Sequence, residues 1–105
     1  MIQIEEILEG GGEEAKPGDT VEIHYTGAFP DGKRFDSSEG RAPFKFKIGA
    51  GTVIQGFDLM VAGMRIGGTR KATIPPKMAY GSKGVAGVIP PDSTLVFEVE
   101  LLSIV

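Results

Sequence analysis

The chain has 105 residues, 41% hydrophobic and 24% charged, with sixteen glycines, seven prolines and no cysteine, which reads as one soluble globular domain with a single core. A formal net charge of -3 argues against a nucleic-acid phosphate backbone as partner. Disulfides and Cys-ligated metals are excluded, and no apolar run approaches the ~18 residues of a membrane span.

In chain order, Met1 to Glu6 shows no basic stretch followed by an apolar one, so no signal peptide is expected and a cytoplasmic location is. Ile2, Ile4 and Ile7 predict a first strand. Gly10-Gly11-Gly12, Lys16-Pro17-Gly18-Asp19 and Pro30-Asp31-Gly32 read as turns. Between them Val21, Ile23 and Tyr25 share one strand face, with Glu22 and His24 on the other. Phe44, Phe46 and Ile48 alternate in the same way. The rhythm then changes: Phe57, Met60, Val61 and Met64 fall at i, i+3, i+4 and i+7, the single face of a short helix. Strand alternation returns with Ala72 and Ile74 against Lys71 and Thr73. It closes with Leu95, Phe97, Val99 and Leu101 against Glu98 and Glu100. Every element needs somewhere to bury its apolar stripe. The expected fold is therefore α+β, an antiparallel sheet of about five strands curled around one short α-helix, with residues 1–105 as one domain.

The polar chemistry is sparse. Gly49-Ala50-Gly51-Thr52-Val53-Ile54 lacks the third glycine of a phosphate-cradling G-x-G-x-x-G, and Gly10-Gly11-Gly12 runs into the repelling Glu13-Glu14. A triad drawn from His24, Asp36 and Ser37 or Ser38 meets a different objection. If Tyr25 faces the core, His24 on the opposite strand face is expected in solvent. One histidine and no cysteine leave no metal set, so no metal and no cofactor are expected.

The spacing of Phe46, Phe57 and Phe97 is also that of an ordinary core. Two features favour a cavity. Tyr25, Tyr80 and Asp36 accompany these apolar positions, and a buried polar group left unsatisfied costs about 1–3 kcal/mol. In addition, Ala79-Tyr80-Gly81 through Gly87-Val88-Ile89-Pro90-Pro91 makes a loop expected to expose Val88 and Ile89, stiffened by two prolines. Phe57, at the start of the only helix, is the expected cavity floor.

These residues also carry a family resemblance. His24-Tyr25-Thr26-Gly27, Asp31-Gly32, Phe35-Asp36-Ser37-Ser38, Pro43-Phe44-Lys45-Phe46, Val53-Ile54-Gln55-Gly56-Phe57, Ala79-Tyr80-Gly81, Gly87-Val88-Ile89-Pro90-Pro91 and Thr94 to Leu101 stand in the order and spacing of one family. Together they cover nearly the whole chain. The sequence resembles the FKBP-type peptidyl-prolyl cis-trans isomerases, and the fold of that family agrees with the one expected above.

The resemblance implies a proline pocket with Phe57 as its floor and Tyr25, Phe44, Val53, Ile54 and Phe97 as walls. Phe35, Tyr80 and Ile89 would form the rim, with Thr52 and Val88 beside it. The Ile54 amide and the Tyr80 hydroxyl would bind ligand carbonyls, and Asp36 would be held by Tyr25 and Arg41. Implied partners are proline-containing peptides, unfolded or folding proteins, and the macrolides tacrolimus and rapamycin. Three departures stand out. Phe57 replaces the tryptophan usual in the family, which implies a shallower floor or a slightly roomier pocket. Glu39-Gly40-Arg41-Ala42 is about one residue short, which weakens the assignment of Arg41. Val85 occupies a variable loop position that could alter substrate preference. The same pocket could serve a binding module without turnover, or an engineered scaffold. A monomer is expected, because no exposed apolar stripe is evident beyond Leu59 and the loop tip.

Overall fold

A computed structural model describes residues 2–105; Met1, at the head of the segment read for a targeting signal, lies outside the described residues. The strands are β1 (Gln3–Leu8), β2 (Thr20–Ala28), β3 (Arg34–Ser37), β4 (Phe44–Lys47), β5 (Thr69–Ile74) and β6 (Leu95–Ile104). The helix α1 spans Gln55–Val61, and a 3-10 turn covers Pro76–Met78. All strand pairs are antiparallel, in the order β1-β5-β6-β2-β3, with β4 also on β2. This is the expected α+β class with one strand more than expected. The additional strand, β3, has only Phe35 as an apolar residue and so offers no alternation to read.

Period-2 patterning explains the sheet. Val21 and Ile23 of β2, Ala72 and Ile74 of β5, and Leu95, Phe97, Val99 and Leu101 of β6 all face one buried side. Against that side lie Phe57, Met60 and Val61 of α1. At seven residues α1 is too short to persist alone and depends on this packing. Gly56 makes the close approach possible, since a Cβ there would lie 2.6 Å from Ile74 Cδ1 of β5. Met64 is buried as its spacing suggested, although the helix ends before it at Val61.

One helix covers only part of the sheet, and β1 lies outside the covered part. All six of its residues are exposed, Ile4, Ile7 and Leu8 among them. The expectation of an apolar stripe buried by every strand therefore fails at β1. So does the expectation that exposed apolar surface is confined to Leu59 and the loop tip. The reason is position: β1 is the sheet's terminal strand, paired with β5, and among the described residues beside it Ile2 packs on the core.

Candidate functional site

Strand β2 delivers Tyr25 to the buried side of the sheet, where it meets rings from three other elements. Phe57 of α1 and Phe97 of β6 stand edge to face with centroids 4.7 Å apart. Tyr25 is edge-on to Phe57 at 5.6 Å and to Phe44 of β4 at 5.8 Å. Phe35 of β3 closes on Phe97 at 5.6 Å. Edge-to-face contacts of this kind suit the ring quadrupole. The last approach needs Gly27, because a Cβ there would sit 2.7 Å from both Phe35 Cζ and Phe97 Cε1. Alternation along β2 does not reveal this role of Gly27, since a glycine inside an alternating strand carries no periodic signal.

These rings enclose a cavity of about 190 Å³. Tyr25, Phe35, Phe44, Phe57 and Phe97 line it, together with Asp36, Thr52, Val53, Ile54 and Tyr80. Ten of the thirteen residues marked from the sequence thus converge here. Phe57 is 5% exposed and belongs to the core as well as to the cavity.

Three marked residues lie elsewhere. Arg41 borders a neighbouring depression with Ser38 and Pro43. Val88 and Ile89 line a separate shallow hollow with Val85 and Pro90. The loop was expected to expose both of them, but only Val88 is exposed, at 49%; Ile89 is turned inward, at 5%. Reciprocal hydrogen bonds of 2.8 Å between the Val85 and Ile89 backbones fold the loop back on itself, which drives Ile89 into the core.

The polar edge is a chain of hydrogen bonds. The Tyr25 hydroxyl donates to Asp36 Oδ2 at 2.8 Å. Asp36 Oδ1 accepts from the Ser37 amide at 2.9 Å and from Arg41 Nη2 at 3.0 Å. Arg41 Nη2 also donates to the Ser37 carbonyl. Arg41 does not line the cavity and is hydrogen-bonded to it through Asp36. Burial works against the Asp36 carboxylate, but these three donors outweigh it and hold the carboxyl below its ordinary range. Burial first, then the hydrogen bond to Asp36 and its charge, pushes the Tyr25 hydroxyl up to about 12. Burial and the charge of Asp36 raise Tyr80 as well.

His24 is not free in solvent as expected. It is half-buried, and its Nδ1 lies 2.8 Å from Ser38 Oγ. That pair does not complete a triad. Ser38 is 3% exposed, its Oγ already accepts the Tyr25 amide at 2.8 Å, and Asp36 is engaged with Tyr25 and Arg41. Ser38 instead fastens β3 to β2 directly behind Tyr25.

Two donors at the cavity edge have no protein acceptor among the described residues: the Ile54 amide and the Tyr80 hydroxyl. A larger groove of about 500 Å³ runs across the other face of the sheet, bordered by Thr26, Arg34, Glu39, Lys71 and Glu98. It mixes both signs of charge and lacks converging rings. The aromatic cavity, ring-lined with two uncommitted donors on its lining residues, is the better candidate for a ligand. Its chemistry is that of recognition and electrostatics: it accepts a small apolar ring and offers donors to adjacent carbonyls.

Comparison with known proteins agrees with this geometry. Residues 11–102 match the family model described as FKBP-type peptidyl-prolyl cis-trans isomerase. The chain is 52% identical to peptidyl-prolyl cis-trans isomerase FKBP15-3 of Arabidopsis thaliana, over 96% of this chain and 72% of that protein. It is 50% identical to the FK506-binding protein of Neisseria meningitidis serogroup A, over 96% of this chain and 94% of the relative. Against FKBP53 of Arabidopsis thaliana, at 51% identity, it spans only 22% of the relative's length. Among solved structures, AtFKBP13 superposes with a TM-score of 0.91 at 36% identity, over 99% of this chain and 93% of that one. A peptidyl-prolyl cis-trans isomerase from Pseudomonas syringae gives 0.87 at 35% identity, over 98% and 74%. The chain belongs to the FKBP-type peptidyl-prolyl cis-trans isomerases.

Proposed function

We propose that the aromatic cavity is where this isomerase works, seating the proline ring of an X-Pro segment while the Ile54 amide and Tyr80 hydroxyl receive the flanking carbonyls. The observation that carries the reading is the pairing of a ring-lined cavity with two free donors at its edge.

The reaction asks for little more. Amide resonance raises a rotation barrier of about 18–20 kcal/mol, and uncatalysed X-Pro exchange takes roughly tens to hundreds of seconds. No covalent bond is made or broken, so neither a base nor a nucleophile is required. The planar amide separates charge between oxygen and nitrogen, and the twisted transition state loses that separation. An apolar cavity therefore disfavours the planar state more than the twisted one, which is differential binding. An acceleration of roughly 10^4-fold corresponds to about 5.5 kcal/mol. Hydrogen bonds of about 1 kcal/mol each plus burial of the proline ring are of that order.

The test is cis-to-trans exchange of an Ala-Leu-Pro-Phe peptide with and without rapamycin. Acceleration abolished by the drug is the expected result; drug binding without acceleration would move the function to recognition. Rapamycin and tacrolimus binding, and action on folding proteins, belong to this proposal and rest on the family and the cavity.

The rate should also be nearly flat between about pH 6 and 8. Tyr25 and Tyr80 are raised and keep their protons there, while Asp36 is lowered and keeps its charge. Asp36 loses that charge only as pH falls through its depressed value, below the carboxylate range near pH 4. A bell-shaped profile inside the window would indicate a proton transfer that this mechanism does not contain.

A further inference from the structure

The structure assigns Asp58 a positioning role: it ties down the loop that carries the Ile54 amide and so sets substrate affinity without touching substrate. This rests on the cavity being the substrate site.

The loop runs from Ile48 to the start of α1. Ile48 is anchored by backbone hydrogen bonds to Asp19 and Gly18, both 2.9 Å. Beyond Ala50 that support ends. None of the amides of Gly51, Thr52, Val53 and Ile54 donates to a protein acceptor among the described residues. Gly49 and Gly51 hold φ of +84° and +74°, a region glycine enters and leaves readily. Yet Thr52, Val53 and Ile54 border the cavity.

Asp58 holds both ends of this stretch. Its Oδ1 accepts the Gly49 amide at 2.9 Å. Its own amide donates to the Ile54 carbonyl at 3.4 Å, beside the stronger bond from the Phe57 amide at 3.0 Å. One residue in the first turn of α1 therefore closes the loop into a ring that contains the free Ile54 donor. Val53 and Ile54 add packing against the core, but packing does not fix the direction in which the amide points.

The carboxylate also sits where the helix dipole favours negative charge, a purely structural role that must be separated from the tether. Asp58→Ala removes both acceptor and charge, whereas Asp58→Asn removes the charge and keeps an acceptor oxygen for Gly49. With the Ala-Leu-Pro-Phe peptide, D58A should raise KM about three- to tenfold and leave kcat within about twofold, the signature of lost binding shared by ground and transition states. D58N should stay within about twofold of the parent in both. Hydrogen exchange at the Gly49 amide should quicken in D58A and remain slow in D58N.

An unchanged KM in D58A overturns the tether, and so does equal impairment of D58A and D58N, which would leave only helix charge. These outcomes are read in a chain that is otherwise active. A parent protein that neither accelerates the peptide nor binds rapamycin overturns the reading of the cavity, and the tether with it.

Discussion

Phe57→Ala is expected to lower the unfolding free energy by about 3–5 kcal/mol, the range for truncating a buried phenylalanine. The ring is 5% exposed and lies 4.7 Å from Phe97, 5.6 Å from Tyr25 and 6.1 Å from Phe46, centroid to centroid. It also links a seven-residue helix to the sheet. For a domain of about 100 residues each 1 kcal/mol moves Tm by roughly 4–8 °C, so thermal unfolding should fall by about 12–40 °C. Such a loss is comparable with total domain stability, about 5–15 kcal/mol, and activity would fall with it for that reason alone. Phe57→Leu separates the two roles. It keeps most of the apolar volume and should destabilise by no more than about 1–2 kcal/mol. If the ring is the cavity floor, the leucine variant loses peptide turnover and rapamycin affinity while it stays folded, its Tm lowered by no more than about 4–16 °C. Unimpaired turnover in F57L would show that Phe57 is core alone.

Arg70→Ala should be the second largest loss, about 2–4 kcal/mol, read from urea unfolding. The Arg70 side chain is 17% exposed, and it satisfies the end of α1 from outside. Nη1 donates to the Met60 and Ala62 carbonyls at 3.1 and 2.9 Å, and Nη2 to Gly63 at 3.1 Å. Helix ends leave their last carbonyls without partners in the helix itself, and here a single guanidinium supplies three donors. Truncation strands those acceptors beside the core and removes a positive charge from the helix C-terminus. The Nε bond to Glu6 at 2.9 Å ties β1 to the same point. That carboxylate is 41% exposed, so Glu6→Ala should cost only about 0–1 kcal/mol. Arg70→Lys, with one ammonium in place of a planar fork, should fall between the two. Equal losses in R70A and E6A would mean that the ion pair, and not the helix cap, is what matters.

Both variants act on residues that the sequence displayed in different degrees. Phe57 was visible because an aromatic at the head of an i, i+3, i+4 face has a period. Arg70 has none: it stands in β5 as one more charged residue. The roles of Asp58 and Ser38 are hidden for the same reason, since a single polar side chain announces no partner until the chain has folded around it.

What the sequence determined by itself is what repeats. Alternation at Val21 to Tyr25, Phe44 to Phe46, Ala72 to Ile74 and Leu95 to Leu101, with the helical spacing at Phe57 to Val61, set the α+β class and most of the core. Those signals are local, because the pleat and the helical turn impose their periods on any chain that buries one face. Tertiary structure decided what depends on neighbours. It added β3, whose residues pair with β2 without an apolar rhythm, and left β1 exposed at an edge that one short helix does not reach. It turned Ile89 inward and left Val88 outside, engaged His24 with Ser38, and brought Gly27 against two rings. Each of these follows from which surface another element covers, and no spacing along the chain contains that information.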